Sequence, residues 1–124
     1  MLIYNFKKEL LGIDKKVLTT LGFNNLEELH NEVTDFADLF VKTPGFIHNF
    51  RHVHWIDYLK CAEENEEVQI IINVNGKNFQ SILQISTQEE SYIIHLHNLR
   101  ELTHKESEDI EYDILKREPI LKSV

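Results

Sequence analysis

The apolar residues of this chain change their spacing about halfway along it. In the first half they recur three and four residues apart, as on one face of a helix, and in the second half they alternate with polar residues, as in a strand. A β-branched run extends from Val68 to Val74, and the dipeptide Asn75-Gly76 that follows is typical of a type I′ hairpin turn. The pattern predicts a block of helices followed by a hairpin.

Two further segments after the hairpin turn have the two distinct faces of strands. The first places Phe79, Ser81, Leu83 and Ile85 on one face, with Gln80, Ile82 and Gln84 on the other. The second, "SYIIHLHNL", places Tyr92, Ile94 and Leu96 on one side and Ile93, His95 and His97 on the other. Together with short β-prone segments at Leu2–Phe6 and Leu10–Ile13, they predict an α+β fold in which two short strands precede the helices and three antiparallel strands follow them, an order that several folds share.

Capping residues mark where several helices begin and end. Asp14 is a predicted N-cap, and Gly22 is the predicted left-handed stop of the same helix. Asn25 begins a second helix, with Glu28 in the capping-box position. Thr103 and Glu106 form the same pattern at the start of a final helix, which Pro119 ends or breaks.

A helical stripe of Phe36, Leu39 and Phe40, then a turn at Thr43-Pro44-Gly45, follows the second helix. A further helix is expected from Trp55 to Ala62, and its stripe is expected to face the core: Trp55, Ile56, Tyr58 and Leu59.

Composition narrows the classes of protein to which the chain can belong. Its 124 residues suit one domain, and a formal net charge of -8 disfavours binding to nucleic acid. No apolar run approaches the roughly 20 residues of a membrane-spanning helix. The single cysteine, Cys61, fits a reducing cytosol, so a cytoplasmic location is expected, and its apolar surroundings predict a buried thiol.

The element order and three local segments resemble a PAS domain, over about residues 2–105. The segment "ELLGIDKKVLTTLGFNNLEEL" is similar to a strand that enters a helix ending in a Gly-aromatic pair, here Gly22-Phe23. The segments "VNGKNFQSILQI" and "YIIHLHNLRELT" resemble the family's hairpin and its final strand. The resemblance implies a PAS-like antiparallel sheet of five strands, with a block of short helices on one face and a C-terminal exit helix.

The resemblance also implies a function and a division of the chain. Residues 1–105 would form a sensor domain, and residues 106–124 an output or linker helix. Such modules occur in bacterial signalling proteins, including two-component sensor histidine kinases and diguanylate cyclases, and are often homodimers. We therefore expect a module that binds a small ligand or a partner and passes the change to an output domain. The expected coupling or subunit contacts are Asn98, Leu99, Leu102, Ile110 and Ile114.

One position departs from the family's pattern. The family often has an Asp-Ile-Thr triplet at the end of the last strand, where this chain has Asn98-Leu99-Arg100. That Asp often pairs with a basic residue to couple the core to the exit helix. Asn98 cannot form a charged pair, so the sequence leaves this mode of coupling in question.

Two candidate sites have alternative interpretations. A ligand cavity between the sheet and the helices would be lined by Phe36, Phe40, Trp55, Phe79, Leu83, Tyr92 and Ile94, or these residues would simply fill the core. His95 and His97 point to the same side of their strand, so they are either two ligands of a metal ion or polar residues of an open or interface face.

The sequence contains no recognisable catalytic constellation, so we do not expect an enzyme. Cys61 has no triad pattern, and the carboxylates of residues 63–67 form a solvated run. No particular cofactor is required. The alternative is a small stand-alone ligand- or metal-binding α+β protein, for example an enzyme-like fold of the steroid-isomerase type. Such a fold needs a polar residue in a deep pocket, and Ser81 and the Tyr92 hydroxyl are the polar groups assigned to the inner face.

Overall fold

Residues 1–50, 52–63 and 66–117, which the computed structural model describes, form an α+β fold with a five-stranded antiparallel sheet and four α-helices. The strands are β1 Leu2–Asn5, β2 Leu10–Ile13, β3 Val68–Val74, β4 Lys77–Gln88 and β5 Ser91–Glu101. The helices are α1 Lys15–Leu21, α2 Leu26–Glu32, α3 Trp55–Lys60 and α4 His104–Arg117, with a 3₁₀ turn at Phe36–Leu39. The predicted α+β class and five-stranded sheet are confirmed.

The order of the strands in the sheet is β2-β1-β5-β4-β3. β1 and β4 both pair with β5, which therefore lies at the centre although it is the fifth strand along the chain. Leu2 in β1 pairs with Ile94 in β5, and Ile94 also pairs with Ile85 in β4. β5 thus joins the N-terminal pair of strands to the β3–β4 hairpin.

The hairpin between β3 and β4 turns at the predicted dipeptide. Asn75 and Gly76 have φ values of 52° and 82°, as a type I′ turn requires at both central positions. An Asn-Gly pair adopts these left-handed conformations at low cost, which fixes the register of the strands on either side. Val74 accordingly pairs with Lys77, and Val68 with Leu83.

Local caps start and stop the short helices where the sequence predicts. The Asp14 carboxylate accepts from the Val17 amide at 3.1 Å, and Gly22 ends α1 with a φ of 92°. The Asn25 side chain caps α2 by accepting from the Glu28 amide at 2.8 Å. α2 extends from Leu26 to Glu32.

The main core lies between one face of the sheet and the helices. On β4 this inner face carries the predicted set, with Phe79, Ser81 and Leu83 buried and Ile85 partly buried. The fully buried large side chains of this core are Trp55, Tyr4, Phe36, Leu2, Leu29, Ile56, Ile70, Ile72 and Ile94. Because β1, β3, β5 and the helices all contribute to this set, one continuous core holds the two halves of the chain together.

The outer face of the sheet is open only in part. His97 and Gln84 are exposed there, as expected for the open side. Ile71 also points to this side, because its neighbours Ile70 and Ile72 belong to the main core, yet Ile71 is fully buried. Leu102, which precedes α4, is buried as well and lies outside the main core cluster.

Two predictions about the segment around α3 are wrong. Tyr58 is 48% exposed rather than core-facing, because α3 is a short helix that buries Trp55, Ile56 and Leu59 and turns Tyr58 outward. Cys61 is exposed rather than buried, since α3 ends at Lys60 and Cys61 is its C-cap.

None of the helices in the part of the chain that the structure describes has both the length and the apolar character needed to cross a lipid bilayer.

Candidate functional site

The seven predicted cavity residues lie together in the core. Phe36, Trp55, Phe79, Leu83 and Ile94 are buried, and Phe40 and Tyr92 pack against them while partly exposed. The rings of Phe40 and Trp55 meet edge to face with their centroids 5.2 Å apart, and those of Phe36 and Phe40 do so at 5.7 Å. This position in the core fits both interpretations, and entry of a ligand between these residues stays a prediction.

Tyr92 lies at the margin of this core. Its hydroxyl accepts from the exposed Lys60 ammonium at 3.2 Å, and its ring packs against Phe6 with centroids 5.0 Å apart. The ammonium is also 5.0 Å from the centroid of the Tyr92 ring. This hydroxyl therefore faces the surface rather than the interior.

A polar cluster around Asp35, which no sequence pattern predicts, joins three distant segments. The Tyr4 hydroxyl donates to Asp35 Oδ1 at 2.6 Å, and the Trp55 indole N–H donates to Asp35 Oδ2 at 2.9 Å. Asp35 also caps the 3₁₀ turn by accepting from the Ala37 amide. The carboxylate thus fastens β1, the 3₁₀ turn and α3 to one another.

Burial makes these hydrogen bonds important to the fold. Tyr4 is fully buried and Trp55 is 1% exposed, so neither polar group can exchange its partner for bulk water. Burial, together with the charge of Asp35, raises the pKa of Tyr4 well above its usual range. The Tyr4 hydroxyl is therefore a permanent donor at neutral pH.

His54 adds an ionisable imidazole to the Asp35 cluster. Its Nδ1 caps α3 by accepting from the Ile56 amide at 3.1 Å, so the neutral ring carries its proton on Nε2. That Nε2 lies 3.5 Å from Asp35 Oδ2. Burial lowers the pKa of His54 and Lys8 lowers it further, whereas Asp35 and Asp57 oppose this shift.

A cleft of about 460 Å³ opens beside this cluster. Its lining residues are Lys8, Glu9, Leu10, His30, Thr34, Asp35, Asn49 and His54. Apart from Leu10, the lining side chains are polar and include both charges, whereas the cavity predicted from the sequence is largely aromatic. Separate elements contribute them, so the sequence pattern gives no sign that they meet.

His95 and His97 share the outer face of β5, as predicted. Their rings stack with centroids 6.0 Å apart, and His97 Nε2 lies 2.9 Å from Gln84 Oε1 on the neighbouring strand. Within the described residues, no group of three or more His, Cys, Asp or Glu side chains is arranged to hold a metal ion. The structure accordingly brings these two histidines together without a third ligand from that part of the chain.

Asn98 occupies a bulge in β5. Gln80 pairs with Arg100 and Ile82 with His97, so Asn98 and Leu99 together oppose the single residue Ser81. Asn98 has a φ of 54°, in the left-handed region that asparagine tolerates better than most residues. The residue in which the chain departs from the PAS pattern therefore has a backbone role here.

A different residue pair ties the end of β5 to α4. Arg100 donates from Nη1 and Nη2 to the two carboxylate oxygens of Glu106, at 3.0 and 2.8 Å. Glu106 also accepts from the Thr103 amide at 2.9 Å, and the Thr103 hydroxyl accepts from the Glu106 amide at 3.1 Å. This confirms the predicted capping box and shows that Arg100 extends it.

The other predicted coupling residues occupy different environments. Leu102 is buried, and its amide donates to the Asn78 carbonyl at 2.7 Å, so its position fits coupling rather than contact with another subunit. Leu99 packs against the core while partly exposed, and Ile110 lines a cleft with Pro44. The side chain of Ile114 and the residue Pro119 lie outside the described part of the chain.

Comparisons of the chain with protein-family models, with curated proteins and with solved structures found no match.

Proposed function

We propose that the chain is a PAS-like sensory and interaction module that passes changes in its sheet to the exit helix α4. One observation carries this proposal: β5 and α4 are joined by the bidentate Arg100–Glu106 ion pair, and the Glu106 carboxylate is also part of the helix cap. A displacement of the end of β5 would therefore act directly on the first turn of α4.

The bulge in β5 provides a route from the core to this junction. The buried Ser81 hydroxyl donates to the His97 carbonyl at 2.9 Å, immediately before Asn98. Ser81 lies on the inner face of β4 beside Phe79 and Leu83, which belong to the predicted ligand cavity. A ligand that moves these side chains would disturb the bulge and then the strand end that holds α4.

The element order supports the resemblance to PAS domains. Two strands precede the helices, three antiparallel strands follow them, and α4 begins just after the last strand. In the proposed function the residues between the sheet and the helices receive a small ligand or a partner. The module itself is not an enzyme, acts in the cytoplasm of a bacterial cell and delivers its signal to a kinase or cyclase output domain.

The relay can be tested without knowing the ligand. Ser81→Ala removes the hydroxyl that holds the bulge, and Ser86→Ala, at an exposed position of the same strand, is the matched control. Amide hydrogen exchange of the full chain should become faster in the first turn of α4 for Ser81→Ala and stay unchanged for Ser86→Ala. Unchanged exchange in α4 for both variants would refute the relay.

We also propose that the module forms a homodimer through α4. Ile110 is partly exposed on this helix and provides an apolar contact, whereas Glu108 is exposed. Light scattering should show a dimer at micromolar concentration for the native chain and for Glu108→Gln, and a monomer for Ile110→Glu. If the native chain is monomeric at that concentration, α4 is not a subunit contact.

The Asp35 cluster favours one alternative, a stand-alone binding protein that takes a small polar ligand in the adjoining cleft. Asp35 already accepts three internal hydrogen bonds and His54 caps α3, so a ligand would bind through other lining side chains, such as His30. Native mass spectrometry of the purified chain reports both its oligomeric state and any retained small molecule. A retained molecule that His30→Ala abolishes would support this alternative, and one that Phe79→Ala abolishes would support the core cavity.

A further inference from the structure

The central strand β5 has an open edge along part of its length. β4 pairs with it from Ser91 to Glu101, whereas β1 pairs with it only from Ser91 to Ile94. Beyond Ile94, no described residue forms a strand on the β1 side of β5. An unpaired edge of this kind is a template for the addition of another strand.

The direction of the free backbone groups follows from one side-chain hydrogen bond. The Ser81 hydroxyl, on β4, donates to the His97 carbonyl, so the backbone groups of His97 point toward β4. Backbone groups alternate in direction along a strand, so the N–H and C=O of Leu96 point to the opposite, open side. Among the described residues, neither group has a backbone partner from a loop or turn.

A cleft of about 420 Å³ lies along this edge, in line with β1. Its lining residues are Met1, Asp14, Lys16, Val17, Thr20, His95, Leu96, His97, Asn98 and Leu99. α1 forms the wall opposite β5, and the buried Val17 gives this wall an apolar patch. A strand that extended β1 beyond its first residue, alongside β5, would therefore lie in this cleft.

The charge at the rim of this cleft contrasts with that of the whole chain. The Asp14 carboxylate is already engaged, by the Met1 amino group at 2.8 Å and by the Val17 amide at 3.1 Å. Lys16 contributes an exposed ammonium beside the imidazoles of His95 and His97. The rim thus favours a negatively charged occupant although the net charge of the chain is -8.

We propose that the open edge of β5 at Leu96 pairs with an extended, carboxylate-bearing segment of a partner protein. The segment lies antiparallel to β5 and continues the line of β1. Its backbone bonds with the Leu96 N–H and C=O, as in other cases of strand addition.

The pleat of β5 specifies the side chains of this segment. The residue opposite Leu96 shares the inner face with the Leu96 side chain and is therefore apolar. The residues opposite His95 and His97 lie on the outer face, where carboxylates can accept hydrogen bonds from the two imidazoles. The recognised pattern is an apolar residue between two acidic residues.

A synthetic peptide provides a direct test with the full chain. The probe is acetyl-Thr-Glu-Val-Glu-Thr-amide, and the control replaces its valine by proline, which keeps the charge but cannot donate the backbone hydrogen bond. With saturating probe, hydrogen exchange of the Leu96 amide should slow by about ten-fold, and the proline peptide should leave it unchanged.

Variants of the protein test the electrostatic part. Lys16→Glu should weaken binding of the probe about three-fold, whereas Lys77→Glu, at the exposed start of β4, should leave the affinity unchanged. The proposal is overturned if the Leu96 amide is already protected in the free chain, because the edge is then occupied. It is equally overturned if millimolar probe has no effect on β5, or if the two peptides bind alike.

Discussion

Arg100 and Glu106 form a bidentate ion pair that spans the junction between β5 and α4. The same carboxylate accepts from the Thr103 amide, so one side chain serves both the helix cap and the link to the sheet. The basic partner of this pair lies in the strand, and the acidic partner lies in the helix.

Removal of the Arg100 guanidinium should loosen the start of α4 without unfolding the sheet. In Arg100→Ala, Glu106 keeps its bonds with Thr103 but loses its contact with β5, so amides of the first turn should exchange several-fold faster. Arg100→Lys should restore the slow exchange of these amides only in part, because lysine cannot supply two parallel donors. Lys105→Ala, on the same turn, is the control and should leave exchange unchanged. Equal exchange in Arg100→Ala and the native chain would show that the ion pair is not a link.

Acid should break the same junction within a defined range of pH. The Arg100 guanidinium, followed by the Thr103 amide, lowers the pKa of Glu106 from 4.5 to about 2. A carboxyl group with a lowered pKa stabilises the folded form above its ordinary value, and this contribution is lost as the pH falls toward the lowered value. The Glu106 carboxyl signal in NMR spectra should therefore titrate well below pH 4.5 in the native chain and move upward in Arg100→Ala. An ordinary titration in the native chain would contradict the ion pair.

The left-handed backbone at Asn98 should decide which residues this position accepts. Asn98→Val should lower the free energy of unfolding by about 1–2 kcal/mol, since a β-branched residue resists a positive φ. Asn98→Gly should be nearly neutral, because glycine adopts this conformation freely. Ser86→Val, at an exposed position of β4, controls for the valine side chain. Urea denaturation measures all three, and a tolerated Asn98→Val would mean that the bulge is absent in solution.

The Tyr4 hydroxyl should contribute measurably to stability through Asp35. Tyr4→Phe leaves a partly buried carboxylate without one of its donors, and we expect a loss of about 1–3 kcal/mol in the free energy of unfolding. Tyr58→Phe, at an exposed tyrosine, should change stability by less than about 0.5 kcal/mol. In a double-mutant cycle with Trp55→Phe, the two losses should not add, because both donors share Asp35. Additive losses would show that the carboxylate does not couple β1 to α3.

The imidazole cap of α3 should make the fold sensitive to mild acid. Burial lowers the pKa of His54, so the folded form binds a proton less readily than the unfolded chain and loses stability as the pH falls below 6.5. His54→Asn keeps a capping oxygen that does not titrate, so its stability should fall less between pH 8 and pH 5.5 in urea denaturation. His52→Asn, at an exposed histidine, should behave as the native chain does. If His54→Asn retains the native pH dependence, another group is responsible.

The features that the sequence predicted depend on residues a few positions apart. Asp14, Asn25 and Thr103 cap helices through bonds to residues three positions along the chain, and Asn75-Gly76 sets a turn by its own backbone preference. The buried and exposed faces of β4 and β5 could similarly be predicted from the two-residue period of a strand alone. Local chemistry of this kind can be recognised without knowledge of the fold.

The features that the sequence did not predict depend on contacts between distant segments. Asp35 forms hydrogen bonds with Tyr4, 31 positions away in the sequence, and with Trp55, 20 positions away. No periodicity of the sequence predicts contacts at such separations. The bulge at Asn98 could be predicted only from the register of β4 against β5, and the sequence of one strand does not specify that register. The outward position of Tyr58 has a related cause, because a helix as short as α3 has too few turns for its pattern to define the buried face.

The central place of β5 has a consequence for synthesis of the chain on the ribosome. The pairs β1–β2 and β3–β4 are made before β5, but they have no strand contact with each other in the sheet. Leu2 pairs with Ile94, so β1 can pair with β5 only after Ile94 has left the ribosome. The nascent chain therefore exposes the inner strand β1 until late in translation, so we expect its sheet to close in one late step rather than strand by strand.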